Sequence, residues 1–135
     1  MEVIDQSLES VKILLVEDND QVRAFATNML LDEGCSVIEA GSAAEALKML
    51  DEALVDLILT DVVMPGVSGI ELANQVRQAW PDLPIVLVSG YSDELVGTGT
   101  DYPFLTKPFT AAELKAKLRS AMARSTLRKR IPQRP

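Results

Sequence analysis

A chain of 135 residues, 47% apolar and 24% charged, is long enough for one domain with a full core. It has no histidine, which excludes imidazole-based triads, histidine metal sites and any phosphohistidine on this chain. The one cysteine, Cys35, cannot make an internal disulfide and suits a reducing, cytoplasmic setting.

No apolar run approaches the ~20 residues of a membrane span, and residues 1–5 have neither the basic start nor the apolar stretch of a signal peptide. The last twelve residues carry Arg124, Arg128, Lys129, Arg130 and Arg134 and no acid, against 20 acids and 8 bases in the remaining 123. An acidic body speaks against direct nucleic-acid binding. The short basic end, with two prolines and no aromatic residue, reads as a solvated tail or linker.

Residues 1–10 are polar and aperiodic and read as a leader, residues 11–123 as the domain, and 124–135 as the tail. Val11 to Val16 is the first strand, broken abruptly by Glu17-Asp18-Asn19-Asp20. Asn19 or Asp20 can cap the helix that follows. Its apolar face is Val22, Phe25, Ala26, Met29 and Leu30, with Arg23 turned toward water, and Gly34 ends it as a left-handed cap. Cys35 begins the next strand pattern and reads as a small core residue. Ser36 to Ala40 is that second strand. Ser42 and Glu45 have capping-box spacing and open a second helix with Ala46, Leu47 and Leu50 inward. The third strand, Asp56 to Thr60, leads into Asp61. Ser68 and Glu71 form another capping box before a helix through Leu72, Ala73 and Val76, closed by Trp80-Pro81.

The fourth strand, Pro84 to Val88, stops at Ser89-Gly90. Residues 91–101 contain Gly97 and Gly99 and little periodicity. The fifth strand, Tyr102 to Thr106, begins beside Pro103 as an edge strand would and ends at Lys107-Pro108. Thr110 and Glu113 cap the last helix, through Leu114, Leu118 and Ala121. Alternating strands and helices, with strands apolar throughout, predict an α/β fold: a doubly wound parallel sheet covered on both faces.

Ligands of open α/β sheets bind beyond the carboxyl ends of the strands. Here those ends carry Glu17 and Asp18, then Asp61, then Ser89, then Lys107. Carboxylates gathered together repel one another, and a hard divalent cation such as Mg²⁺ relieves that repulsion. Lys107 supplies a point charge for a phosphoryl oxygen and Ser89 a hydroxyl donor. The set composes a phosphoryl-transfer site with Asp61 as nucleophile.

The run Ile13 to Asn19, then Asp61 followed by Met64-Pro65-Gly66 and Gly69, then Ser89-Gly90, then Lys107-Pro108-Phe109, resembles the receiver domain of two-component response regulators. The similarity covers roughly residues 11–122. It implies a flavodoxin-like, five-stranded order 2-1-3-4-5, with Asp61 as phosphoacceptor for a phosphoryl group from a histidine kinase or histidine phosphotransfer domain. It further implies Asp18, Asp61 and the main-chain carbonyl of Val63 as Mg²⁺ ligands, with Glu17 acting through water. Lys107 would pair with the phosphoryl group, Ser89 would reorient toward it, and the Lys107-Pro108 bond would be cis. Phe104 stands where the family keeps an aromatic switch, often tyrosine. The protein would then be no enzyme beyond its own phosphorylation and dephosphorylation.

Two departures carry further expectations. Only 17 residues separate Ser89 from Lys107, so the family's fourth helix should be shortened. Val63 and Tyr91, each two residues past a site residue, are not acids or amides that orient water, so the phosphoryl group should decay slowly. The Ser89-Gly90-Tyr91-Ser92 run is similar to receivers attached to hybrid histidine kinases. Two rival readings remain at this stage: a pseudo-receiver that binds without being phosphorylated, and a small aspartate-dependent phosphatase. The phosphatase class normally keeps a second acid where Val63 stands.

Overall fold

The computed structural model describes residues 8–90 and 102–130, with backbone alone for 124–130. Five strands alternate with helices: β1 (Lys12–Val16), α1 (Asp20–Asp32), β2 (Ser36–Ala40), α2 (Ala43–Glu52), β3 (Leu57–Asp61), α3 (Gly69–Ala79), β4 (Ile85–Ser89), β5 (Phe104–Thr106) and α4 (Ala111–Arg130). The sheet is parallel throughout in the order β2-β1-β3-β4-β5, which leaves β5 at an edge. The expected α/β architecture is therefore present. The shortened helix expected after β4 falls in 91–101 and lies outside the described residues.

The continuous apolar strands are explained by two cores. Successive side chains of a strand point to opposite faces. Leu14, Val16, Ile58 and Leu87 therefore join Ala46, Leu50, Leu72 and Val76 of α2 and α3 on one side. Their neighbours Ile13, Leu15, Leu59 and Val88 join Ala26 and Leu30 of α1 and Leu114 and Leu118 of α4 on the other. Cys35 is buried in this second core, where burial raises its thiol pKa. Leu8 is buried there too, 4% exposed, so packing begins within the stretch read as a leader. At the other end α4 continues to Arg130, through part of the stretch read as a tail.

The helix starts follow their local chemistry. Asn19, Ser42, Ser68 and Thr110 each accept a hydrogen bond from the amide three residues on. Among the described residues only Thr110 and Glu113 close the reciprocal box, the Glu113 carboxylate accepting from the Thr110 amide at 2.8 Å. Glu45 instead accepts from the Gly41 amide. Gly34, at φ +87°, turns the chain out of α1 as a left-handed residue.

The apolar reading of α1 requires correction. Ala26 and Leu30 are buried, but Val22 is 39% and Phe25 67% exposed. Arg23 does not face open water: its side chain is 18% exposed and hydrogen-bonded at the sheet end. Helical spacing gave α1 an apolar arc wider than the core it covers.

Candidate functional site: a carboxylate cluster at the sheet's carboxyl edge

The site follows from strand register. Val16 pairs with Thr60, so Glu17 and Asp61 leave adjacent strands at the same height. Asp61 pairs with Val88, and Ser89 with Thr106, which brings Ser89 and Lys107 to that edge. Backbone bonds hold these positions: the Glu17 amide donates to Ala40 at 3.0 Å, Val62 to Val88 at 2.9 Å, and Lys107 to Ser89 at 2.8 Å. Asp61 is thus the last residue of β3 rather than the first of a loop.

Carboxylate oxygens of Glu17, Asp18 and Asp61 lie within 4.8 Å of one another. Lys107 Nζ stands 3.4 Å from Glu17 Oε1 and 3.5 Å from Asp61 Oδ2. The second Glu17 oxygen accepts from the Asn19 amide at 3.0 Å. Glu17 is 5% and Asp61 9% exposed, whereas Asp18 is exposed to solvent. Burial is the main reason the Glu17 and Asp61 carboxyls are raised above their ordinary pKa. For Glu17, the nearby Asp61 charge adds to the rise, while the Asn19 amide and Lys107 oppose it. For Asp61, Lys107 is the leading opposing influence.

A cation with oxygen ligands at ~2.1 Å separates opposite ligands by ~4.2 Å, so the cluster is close to the size of one Mg²⁺ shell. The donor set is all oxygen and carries three negative charges against one ammonium. Its chemistry therefore fits a hard divalent cation. Ser89 is fully buried at the end of β4, and Phe104 is 39% exposed on the edge strand. Val63 turns its side chain outward, 58% exposed. The Lys107-Pro108 bond is cis.

Three further contributions to the site come from the folded chain. At Gly69, the first residue of α3, an added Cβ would collide with the Asp61 carbonyl oxygen and lie 2.8 Å from the Asp61 carbonyl carbon. A Gly here lets the start of α3 press against the backbone of Asp61, while its own amide donates to Val62 at 2.8 Å. Arg23 donates to the main-chain carbonyl of Glu17 at 2.8 Å. The exposed Val22 and Phe25 line a cavity of about 480 Å³ that Glu17, Asp61, Lys107 and Phe109 also line. The signal for the cavity was already in the sequence: five apolar positions on α1 are more than one packed stripe requires.

Residues 13–119 match the model of the response regulator receiver domain family. The response regulator receiver protein CpdR of Brucella abortus is 36% identical over 107 residues, covering 76% of this chain and 89% of its own length. The sensor kinase CckA of the same organism is 34% identical over 119 residues, 84% of this chain but 13% of the kinase. The chain likewise spans 51% of the transcriptional regulatory protein AfsQ1 of Streptomyces coelicolor, at 34% identity over 83% of this chain. Among solved structures, TrrA of Thermotoga maritima in complex with Mg²⁺ and BeF superimposes with a TM-score of 0.76 at 32% identity, covering 82% of this chain and 98% of that one. The receiver domain of the hybrid histidine kinase CckA gives 0.70 at 34% identity, with 82% and 98% covered.

The fold and the strand-end site define a module of two-component signalling. The chain belongs to the response regulator receiver domain family.

Proposed function

We propose that this domain accepts a phosphoryl group on Asp61 from a phosphohistidine of a partner histidine kinase or histidine phosphotransfer domain. The observation that carries the reading is the convergence of Glu17, Asp18 and Asp61 within 4.8 Å, with Lys107 3.5 Å from Asp61. Asp18, Asp61 and the Val63 carbonyl would hold Mg²⁺, with Glu17 acting through water; the ion would neutralise charge on the transferring group. An Asp61 carboxylate oxygen attacks phosphorus, the bond from phosphorus to imidazole nitrogen breaks, and its electron pair stays on the imidazole, which takes up a proton. Lys107 offsets negative charge on the phosphoryl oxygens and Ser89 donates a hydroxyl hydrogen bond to one of them. The added charge would bias a two-state element of which Ser89 and Phe104 form part. Slow hydrolysis is expected, because the exposed Val63 side chain cannot orient water.

The donor must come from another polypeptide or another part of a longer one, since these 135 residues include no histidine. Phe25 and Val22 supply the docking surface, an apolar lip on a cavity that adjoins Asp61. A helical partner presenting its histidine over that lip would cover it. No helix among the described residues is long and apolar enough to cross a membrane. We place the domain in the cytoplasm because the proposed histidine kinase donor would hold its phosphohistidine there. The likeness to the receiver domain of the hybrid histidine kinase CckA favours a receiver of a hybrid kinase.

The test is incubation with a small-molecule phosphodonor, with and without Mg²⁺. Stoichiometric, Mg²⁺-dependent labelling that Asp61→Asn abolishes is the expected result. Absence of label in the wild type would favour the pseudo-receiver, and continuous turnover of a phosphomonoester the phosphatase.

A further inference from the structure

Arg23 lies one turn into α1 and joins three segments at the sheet end. Its Nη1 donates to the Glu17 main-chain carbonyl at 2.8 Å, its Nε to Glu39 Oε1 at 3.0 Å and its Nη2 to Asp20 Oδ1 at 2.7 Å. The other Glu39 oxygen accepts from Thr27 Oγ1 at 3.0 Å. One planar fork therefore ties β2, α1 and the turn after β1 together through charge-assisted bonds.

The bond to the Glu17 carbonyl reaches the site. That oxygen belongs to the peptide joining Glu17 to Asp18. Fixing it fixes the plane of the peptide, and with it the direction in which Asp18 leaves the backbone. Asp18 is exposed, so no surrounding core sets its position. Glu17 and Asp61, in contrast, are held by burial and by continued strand pairing.

We propose that Arg23 is a positioning residue for the divalent cation, holding the Glu17–Asp18 peptide so that Asp18 faces Asp61 across one ion. The inference rests on the receiver reading of the site. Arg23 touches neither the ion nor the phosphoryl group and acts through the main chain of Glu17.

Positioning and simple electrostatics predict opposite signs. Removing a positive charge near an acidic cluster should tighten cation binding by charge alone. Loss of positioning should weaken it.

The experiment is calorimetric titration of the full chain with Mg²⁺, comparing the wild type with Arg23→Gln and Arg23→Lys. Arg23→Gln should raise the Mg²⁺ Kd about tenfold, the size expected when a group supporting a metal ligand is lost. Arg23→Lys keeps the charge but not the fork and should also weaken binding, by less. At saturating Mg²⁺ the labelling rate of Arg23→Gln should return to within about twofold of wild type, because the reacting groups are intact. An unchanged or lower Kd in Arg23→Gln overturns the proposal. Should that variant not fold, Arg23→Lys decides, because its charge is that of the wild type: a raised Kd is expected, and an unchanged Kd overturns the proposal. A wild-type chain that binds no Mg²⁺ overturns the receiver reading itself and this inference with it, whereas wild-type binding with an indifferent Arg23 overturns this inference alone.

Discussion

Two clusters of charge stand side by side at the carboxyl end of the sheet, and they are built on different terms. In one, Glu17 and Asp61 share a single ammonium at 3.4 and 3.5 Å with Asp18 beside them, and both of these buried carboxyls are raised in pKa by burial. In the other, the Arg23 fork meets two carboxylates and a carbonyl at 2.7 to 3.0 Å, and the Asp20 and Glu39 carboxylates raise the Arg23 pKa. The second network also has one negative charge in surplus, but its carboxylates are solvent-exposed, the Asp20 side chain 88% and that of Glu39 43%, and it holds backbone in place. The first keeps negative charge in surplus where burial makes charge costly, which is the condition a bound cation relieves. The two share the residue Glu17, whose side chain serves one and whose main chain serves the other.

The contrast can be broken at several points. The largest effect on stability is expected from Gly69→Ala. In an ordinary helix start this substitution is mild or helpful; here the new methyl meets the Asp61 backbone, and overpacking of this kind costs about 2 kcal/mol. Urea denaturation should show that loss, and labelling should slow with it. A variant as stable as wild type would show that the start of α3 does not press on the site.

Next come two substitutions with opposite expected signs. Without Mg²⁺, Asp61→Asn removes a buried charge and should stabilise the fold by about 1 kcal/mol. Arg23→Gln breaks charge-assisted bonds and should destabilise it by a similar amount. Thermal melts of the two variants in chelator check both signs, and the same sign in both would erase the distinction between the clusters.

The pH dependence sharpens the same point. Glu17 and Asp61 ordinarily titrate at 4.5 and 3.8, and both are raised in the fold. A folded state that holds protons more tightly than the unfolded chain gains relative stability in acid and loses it as pH climbs from those ordinary values through the raised ones. The contribution of this pair should therefore be most favourable below about pH 4 and least favourable at neutral pH. Melting curves in chelator should show the advantage of Asp61→Asn over wild type growing as pH climbs across that window. Added Mg²⁺ should reverse the trend, since it binds the deprotonated pair.

Phe25→Ala carries the smallest effect on stability, below about 0.5 kcal/mol for so exposed a side chain. It should nevertheless slow transfer from a phosphohistidine partner about tenfold, as loss of an aromatic interface anchor does. Labelling by a small phosphodonor should be unaffected. Equal slowing with both donors would place the role of Phe25 in the fold rather than in docking.

These tests also mark where the sequence was informative. Continuous apolar runs bounded by turn signals, together with capping residues, located the elements, and the polar residues ending four of the strands located Glu17, Asp61, Ser89 and Lys107. Those signals are local. The order β2-β1-β3-β4-β5 came from resemblance, because pairing between strands distant in sequence leaves no local pattern. Arg23 was misread for a related reason. Its acceptors include a main-chain carbonyl six residues back and Glu39 on the next strand, and neither contact is visible along one helix face. Gly69 showed itself as a helix start, but only the packing of α3 onto β3 reveals what a side chain there would strike.

The central claim is that Asp61 itself receives the phosphoryl group. Borohydride reduction of the labelled protein, followed by peptide mass spectrometry, tests it most directly, since an aspartyl phosphate is reduced to homoserine. Conversion of Asp61, and of no other acid, in a Mg²⁺-dependent manner is the predicted result. Label that resists reduction, or homoserine at Asp18 or elsewhere, would contradict it.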